Sequence, residues 1–174
     1  LNELTMKLVS IVMVLAPFGV LCLVARTFGQ VGVAAIFPLA KSVAAVYIAL
    51  ALHLVLVYGG MLKLLSGLAP VRFFKKIFPA MAVAFSTASS SATLPVTMDL
   101  TVNKIGASKD ISSFSLPLGA TINMDGTAIY QGVSAVFIAQ VYGINVTPAM
   151  ALMIVMSATL ASIGTAGVQG AGAI

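Results

Sequence analysis

The chain has 174 residues, of which 60% are hydrophobic and 7% are charged, and its mean hydropathy is +1.13. A soluble domain carries roughly 25% charged residues, so this balance excludes a soluble globular protein. The net charge of +5 does not indicate nucleic acid, because the basic residues cluster at the ends of apolar segments, where they define topology. The single Cys22 excludes an internal disulfide and a cysteine-based metal site. The repeated apolar runs predict an all-α integral membrane protein.

The first part of the chain predicts two membrane-spanning helices. Residues 4–28 form one apolar run, which Pro17 is expected to kink. Residues 29–38 are typical of a turn punctuated by Gly and Pro, and residues 39–66 predict a second spanning helix with some tilt. His53 lies within this helix, and the chain has no second His to share a metal ion with it. We therefore interpret His53 as a packed or pore-edge residue.

Residues 77–103 predict a re-entrant hairpin rather than a crossing helix. Two apolar arms, Ile77–Phe85 and Leu94–Val102, flank a centre of serines and threonines. At 1.5 Å per residue each arm spans ~14 Å, which is about half of a bilayer core. Such a hairpin places most basic residues on one side of the membrane. By the positive-inside rule, this side is predicted to be cytoplasmic. That side would hold Lys7, Lys63, Arg72, Lys75, Lys76, Lys104 and Lys109, and the other side Arg26 and Lys41.

A polar cluster interrupts the long apolar run of residues 111–142. It consists of Asn123, Asp125, Gly126 and Thr127. A carboxylate in the membrane core costs from ~3 to more than ~10 kcal/mol, so such a residue is a candidate for a functional site. Because Asn and Gly also weaken a helix, we predict two half-helices, Ile111–Ile122 and Ala128–Tyr142. The unwound centre between them would offer freed carbonyls to a cation.

The end of the chain predicts the start of a second hairpin. Residues 149–163 form another half-length apolar arm, and residues 164–172 include four glycines, which do not sustain a helix. This segment is expected to enter the membrane from the side opposite to the first hairpin. Two opposed hairpins beside a broken helix indicate an inverted-repeat transporter.

The polar residues of these segments suggest two kinds of ligand. Asp125 and Asn123 offer hard oxygen ligands that suit a small cation such as sodium. An anionic substrate would need donors, which the hydroxyls of Ser89, Ser90 and Thr127 and the N-termini of half-helices could supply.

Other interpretations stay open for each feature. The serine cluster can be close helix packing, the Gly-rich tip can be an ordinary loop, and Asp125 can be a structural buried acid. An intramembrane serine hydrolase would require His53 to act as a base for Ser89 or Ser90. An ion channel would require a symmetric filter, and no segment of the chain repeats in that way.

Three segments resemble the dicarboxylate/amino acid:cation symporter family, which includes archaeal aspartate transporters and bacterial and neuronal glutamate transporters. They are the serine-rich residues 89–97, residues 116–127 with their Asn-Met-Asp-Gly-Thr motif, and residues 161–167. The resemblance covers essentially the whole chain and implies a homotrimeric elevator transporter of the inner or plasma membrane. It also implies that the chain is a piece of a longer protein, without the N-terminal helices and the last helix, and that it cannot transport alone.

The resemblance implies an assignment for each part of the chain. Residues 1–28 would be a scaffold and trimerisation helix, and residues 29–174 would belong to the mobile transport domain. Within that domain the resemblance implies a helix over 33–66, a first re-entrant hairpin over 71–107, a broken helix over 111–143 and the start of a second hairpin over 147–174.

The resemblance also implies site residues. Substrate would contact Ser89, Ser90, Thr127, Gly167, Val168 and Gly172. Transported sodium ions would be held by Gly119, Thr121, Asn123, Asp125, Ser162, Ile163 and Thr165. Gln169 stands where the family tip usually has Pro, so we predict a looser gate. Ala88 stands where some archaeal members carry an Arg beside the serines.

The predicted function is therefore secondary active symport of sodium with an acidic amino acid, aspartate or glutamate. No enzymatic activity and no organic cofactor are implied. The alternative is a proton-coupled glutamate or C4-dicarboxylate symporter. The choice between sodium and proton coupling, and the identity of the substrate, stay open at this point.

Overall fold

The computed structural model describes residues 14–15, 17–26, 28–29, 32, 36–168 and 170–173. These residues form helices and connecting loops with no strand among them, which confirms the predicted all-α class for the described part of the chain. The chain divides into two compact units, Leu1–Val43 and Ala44–Ile174.

The first unit contains the apolar helix α1, Pro17–Arg26. Its side chains are exposed throughout, including the large apolar side chains of Phe18 and Leu21. This helix confirms the second half of the helix predicted over 4–28, whose first ten residues lie outside the described residues.

A long apolar helix begins in the first unit and continues into the second. It consists of α2, Ile36–Leu52, a π-helical segment, His53–Tyr58, and α3, Gly59–Leu65. Ile36–Leu65 is 30 residues long, and its most apolar 18-residue window has a mean hydropathy of 2.1. By length and composition it is the one helix among the described residues that could cross a membrane. The predicted second helix is thus confirmed, but the assignment of residues 36–38 to a turn is wrong. Pro38 is tolerated because it lies in the first helical turn, where its missing N–H has no partner to lose.

The re-entrant position of the first hairpin stays a prediction, but the hairpin itself is present as two packed antiparallel arms with a tight tip. They are α4, Pro70–Thr87, and α5, Ser90–Leu100, which continues as a π-helical segment, Thr101–Ile105. Lys76 Nζ donates to the Lys104 carbonyl at 3.0 Å and ties the open ends of the arms together.

The predicted limits of these arms are wrong. The first arm begins at Pro70, because Pro fits the first helical position and the basic residues after it continue the helix. The polar centre predicted over 86–93 is mostly helical, and only Ala88 and Ser89 leave the helices.

The predicted broken helix is also present, with a shorter break. It consists of α6, Lys109–Ile122, and α7, Asp125–Val141, which flank Asn123 and Met124. The expectation that Asp125, Gly126 and Thr127 are unwound is wrong. They form the first turn of α7, where a carboxylate is favoured by the helix dipole.

The last part of the chain has the predicted arm and irregular tip. Helix α8, Pro148–Ile163, is followed by loop residues and a short 3₁₀ turn, Ala171–Ala173. The hydroxyl of Thr147 caps α8 by accepting from the Met150 N–H at 3.3 Å. Gln169, on which the prediction of a looser gate depends, lies outside the described residues.

Small residues make up most of the interior of the second unit. Helix α5 packs against α4 and α6, and α7 packs against α8. The buried side chains are those of Ala80, Thr93, Leu100, Ser112, Met124, Ala158 and Ser162, while many Leu, Phe and Val side chains are exposed. An apolar outside around a close-packed interior of small residues is the pattern of helices that pack within a bilayer.

Candidate functional site

The tip of the first hairpin is shaped by its own backbone and by Ser89. Ala88 ends α4 in the left-handed conformation, with φ 48° and ψ 34°. Ser89 then caps α5, because its Oγ accepts from the Ala92 N–H at 3.2 Å. This local geometry reverses the chain within two residues and starts α5 at Ser90.

The two predicted tips meet at the Gly167 carbonyl. This oxygen accepts from Ser89 Oγ at 2.8 Å and from the Ser91 N–H at 3.0 Å. Gly167 is buried, and a Cβ at this position would lie 2.8 Å from Ser91 Oγ and 3.3 Å from the Ala120 carbonyl. Only glycine fits this close approach, which joins the first hairpin, the second tip and the end of α6.

A second contact joins the last described residues to the first turns of α7. A Cβ at Gly172 would lie 2.6 Å from Thr127 Cγ2, so the backbone of Gly172 packs directly on the Thr127 side chain. Gln131 Nε2 donates to the Gly172 carbonyl at 3.3 Å. Val168 is half-buried between these contacts, and its carbonyl accepts from the Ala171 N–H. All six predicted substrate residues therefore lie at the two tips or at the start of α7.

Four of the predicted cation residues lie at or next to the helix break. The Asn123 N–H donates to the Gly119 carbonyl at 3.0 Å, and a Cβ at Gly119 would lie 3.3 Å from Asn123 Nδ2. The Thr121 hydroxyl donates to the Leu118 carbonyl. Within the described part of the chain, no hydrogen bond reaches the backbone carbonyls of Thr121 and Asn123. These two oxygens are free to coordinate a cation, as unwound carbonyls do in transporters.

The other three predicted cation residues lie at the end of α8. The Ser162 carbonyl accepts from the Thr165 N–H at 3.2 Å, and Ile163 is the exposed last residue of the helix. No hydrogen bond between described residues joins this group to Thr121 or Asn123. The same part of the chain contains no cluster of three or more His, Cys, Asp or Glu side chains that could hold a metal ion.

Asp125 contacts two side chains of the long apolar helix. Tyr58 Oη donates to Asp125 Oδ2 at 2.5 Å, and His53 Nε2 lies 3.4 Å from the same oxygen. No hydrogen bond joins His53 to Ser89 or Ser90 among the described residues, so the pairing that a serine hydrolase needs is not formed there. Sequence reasoning missed Tyr58 and Gln131. The only feature of the sequence that could have indicated a role for Tyr58 was its position five residues after His53 in an apolar helix.

An apolar helical bundle with hairpin tips that meet a broken helix is the arrangement of a membrane transporter. Comparison with known proteins identifies the class more closely. The chain matches the Sodium:dicarboxylate symporter family over residues 1–174 and belongs to this family. The family and the relatives below are integral plasma-membrane transporters and not enzymes.

Several curated relatives are similar over nearly the whole chain. The proton/sodium-glutamate symport protein of Bacillus subtilis is 39% identical over 93% of the chain and 37% of its own length. The excitatory amino acid transporter of Caenorhabditis elegans is 38% identical over 100% of the chain and 35% of its own length. The neutral amino acid transporter B(0) of Mus musculus is 41% identical over 99% of the chain and 32% of its own length. The chain therefore spans about a third of the length of these relatives.

Proposed function

We propose that the full-length protein is a secondary active symporter that couples sodium entry to the uptake of an acidic amino acid, aspartate or glutamate. The observation that carries this proposal is the junction at Gly167. There the Ser89 hydroxyl, the second tip and the Ala120 carbonyl beside the helix break approach one another closely. A junction of chain interruptions within apolar helices is where a transporter binds its substrate.

The substrate would bind between the tips and the start of α7. Its carboxylates would be held by the hydroxyls of Ser90 and Thr127 and by N–H groups at the N-termini of α5 and α7. Free N–H groups and the helix dipole favour anions at such ends. Ser89, whose hydroxyl donates to the Gly167 carbonyl, would line the site. The backbones of Gly167, Val168 and Gly172 would form the opposite wall. Two of the relatives are named for glutamate and for excitatory amino acids, which supports an acidic substrate.

Sodium would be bound as a transported ion in two places. The first is the helix break, with oxygen ligands from Gly119, Thr121, Asn123 and Asp125. The second is the end of α8, with ligands from Ser162, Ile163 and Thr165. The carbonyls of Thr121 and Asn123, which receive no hydrogen bond from the described residues, support the first of these sites.

Transport would follow an elevator movement in a homotrimer. In this proposal residues 1–28 belong to a static scaffold, and residues 29–174 move with the substrate. The helix pairs α4–α5 and α8 with its tip would be re-entrant hairpins that open and close the site. The bond between Ser89 and Gly167 would then be a contact of the closed state.

A proton-coupled glutamate or C4-dicarboxylate symporter is the second candidate. The observation that favours it is the name of the Bacillus subtilis relative, which covers both protons and sodium.

Uptake by the full-length protein in proteoliposomes distinguishes these functions. Labelled aspartate would be offered under an inward sodium gradient, or under a proton gradient alone. We expect uptake with sodium only, and we expect Asp125→Asn to abolish it. Uptake under the proton gradient alone would establish the second candidate, and uptake of neutral amino acids alone would overturn the acidic substrate.

A further inference from the structure

Within the described residues, the hydrogen bond and the ion pair of the Asp125 carboxylate both involve one oxygen, Oδ2. Tyr58 Oη donates to Oδ2 at 2.5 Å, and His53 Nε2 lies 3.4 Å from the same atom. The second distance is too long for a good hydrogen bond but within the reach of an ion pair. Asp125 Oδ1 receives no hydrogen bond or ion pair from the described residues, so it is the oxygen that could face a ligand.

His53 is placed for this contact by its surroundings. Its Nε2 is buried and makes no hydrogen bond with the described residues, so the Asp125 carboxylate is its polar neighbour. The rings of His53 and Tyr58 meet edge to face, with their centroids 4.8 Å apart and their planes at 76°. The two rings therefore hold each other in place beside the carboxylate.

The π-helical segment His53–Tyr58 explains why both rings reach Asp125. In an α-helix, residues five apart point in directions about 140° apart, so they cannot share a neighbour. A π-helix has hydrogen bonds between residues five apart, which brings such residues one above the other. The wider turn thus places both side chains on the side of the helix that meets the start of α7.

We propose that Tyr58 and His53 are positioning residues, which fix the rotamer of Asp125 so that Oδ1 is directed at the transported cation. This inference rests on the proposed function, because it assumes that Asp125 binds sodium. It adds Tyr58 and His53 of the long apolar helix to the residues that shape the proposed sodium site, and neither is expected to touch the ion. Since a fixed carboxylate loses less freedom when the ion binds, the contacts raise the affinity for sodium.

The test measures sodium binding through the thermal stability of the purified full-length protein. A ligand that binds only the folded state raises the unfolding temperature with a dependence on its concentration that reports its affinity. Sodium chloride is titrated against choline chloride at constant ionic strength. Tyr58→Phe keeps the ring that packs on His53 and removes only the donor. We expect it to raise the half-saturating sodium concentration roughly tenfold, the effect of losing a hydrogen bond to a charged group.

The matched control is Tyr47→Phe on the same helix. Tyr47 is 61% exposed and makes no hydrogen bond with the described residues, so the parent value is expected. A merely structural role of Tyr58 would lower the unfolding temperature in choline without changing the sodium dependence, and that result would overturn the inference. A decrease in the half-saturating concentration would also overturn it.

Two further comparisons complete the test. His53→Gln keeps an N–H donor, so it is expected to raise the half-saturating sodium concentration less than His53→Leu does. Equal half-saturating concentrations in the two variants would overturn the role of His53. If Asp125→Asn loses sodium-dependent stabilisation while Tyr58→Phe matches the parent, the positioning inference fails and the proposed function stands. If Asp125→Asn keeps the parent sodium response, the proposed sodium site itself is wrong.

Discussion

The contact at Gly167 makes Gly167→Ala the most informative substitution at the site. The added Cβ would lie 2.8 Å from Ser91 Oγ, 3.3 Å from the Ala120 carbonyl and 3.4 Å from Ser90 Cβ. The Ser91 hydroxyl can rotate away, but the backbone oxygen and the Cβ can move only with their helices. The second tip would therefore shift outward and break the contact with the first tip.

The size of the effect follows from the two hydrogen bonds that the Gly167 carbonyl accepts. They come from Ser89 Oγ at 2.8 Å and from the Ser91 N–H at 3.0 Å. Each such bond contributes ~0.5–1.5 kcal/mol, so the closed arrangement would lose about 1–3 kcal/mol. Because the proposed function has the substrate bind best to the closed site, its affinity is expected to fall by roughly 5- to 150-fold.

The assay is equilibrium binding of labelled aspartate to the purified full-length protein at saturating sodium. Gly132→Ala is the matched control, because a Cβ at Gly132 in helix α7 meets no described atom within 4 Å and Ala favours a helix. Parent affinity in Gly167→Ala, together with parent affinity in the control, would refute the reasoning that the two tips close the site.

Two further substitutions test other contacts of the second unit. Gly172→Ala would place a Cβ 2.6 Å from Thr127 Cγ2. Because the β-branched side chain of Thr127 cannot rotate out of the way, the affinity for aspartate should fall about tenfold or more. An unchanged affinity would show that this contact is not formed. Thr147→Ala removes the cap of α8 and should lower the free energy of unfolding by ~1 kcal/mol, measured by chemical denaturation in detergent, with the sodium dependence of binding unchanged. A change in sodium affinity in Thr147→Ala would contradict its purely structural role.

The main features of the fold were accessible from sequence because each depends on local chemistry. An apolar run of 20 or more residues predicts a spanning helix, and Asn123 and Gly126, which weaken a helix, predict a break in the middle of one. The first and last residues of the helices were harder to predict from sequence. Asp125, Gly126 and Thr127 look like helix breakers, yet an acidic residue at a helix N-terminus is favourable, so the break contains only two residues.

The contacts that assemble the site could not be predicted from residue patterns, since they join residues far apart in the chain. Ser89 and Gly167 are 78 positions apart, and Tyr58 and Asp125 are 67 positions apart. The serines were identified as possible donors from their chemistry, whereas the glycines were identified through the family resemblance, which names site residues that match its motifs. Tyr58 lies outside those motifs, and its role depends on a π-helical segment that the apolar sequence did not indicate.

The central claim is that the broken helix is a sodium-linked centre for binding an acidic amino acid. It is tested most directly by equilibrium binding of labelled aspartate to the purified full-length protein in sodium and in choline. The comparison is between Asp125→Asn and Asp110→Asn, the same substitution at an exposed residue in the first turn of α6. We expect sodium-dependent binding in the parent and in Asp110→Asn, and its loss in Asp125→Asn. Sodium-dependent binding that survives in Asp125→Asn with parent affinity would contradict the claim.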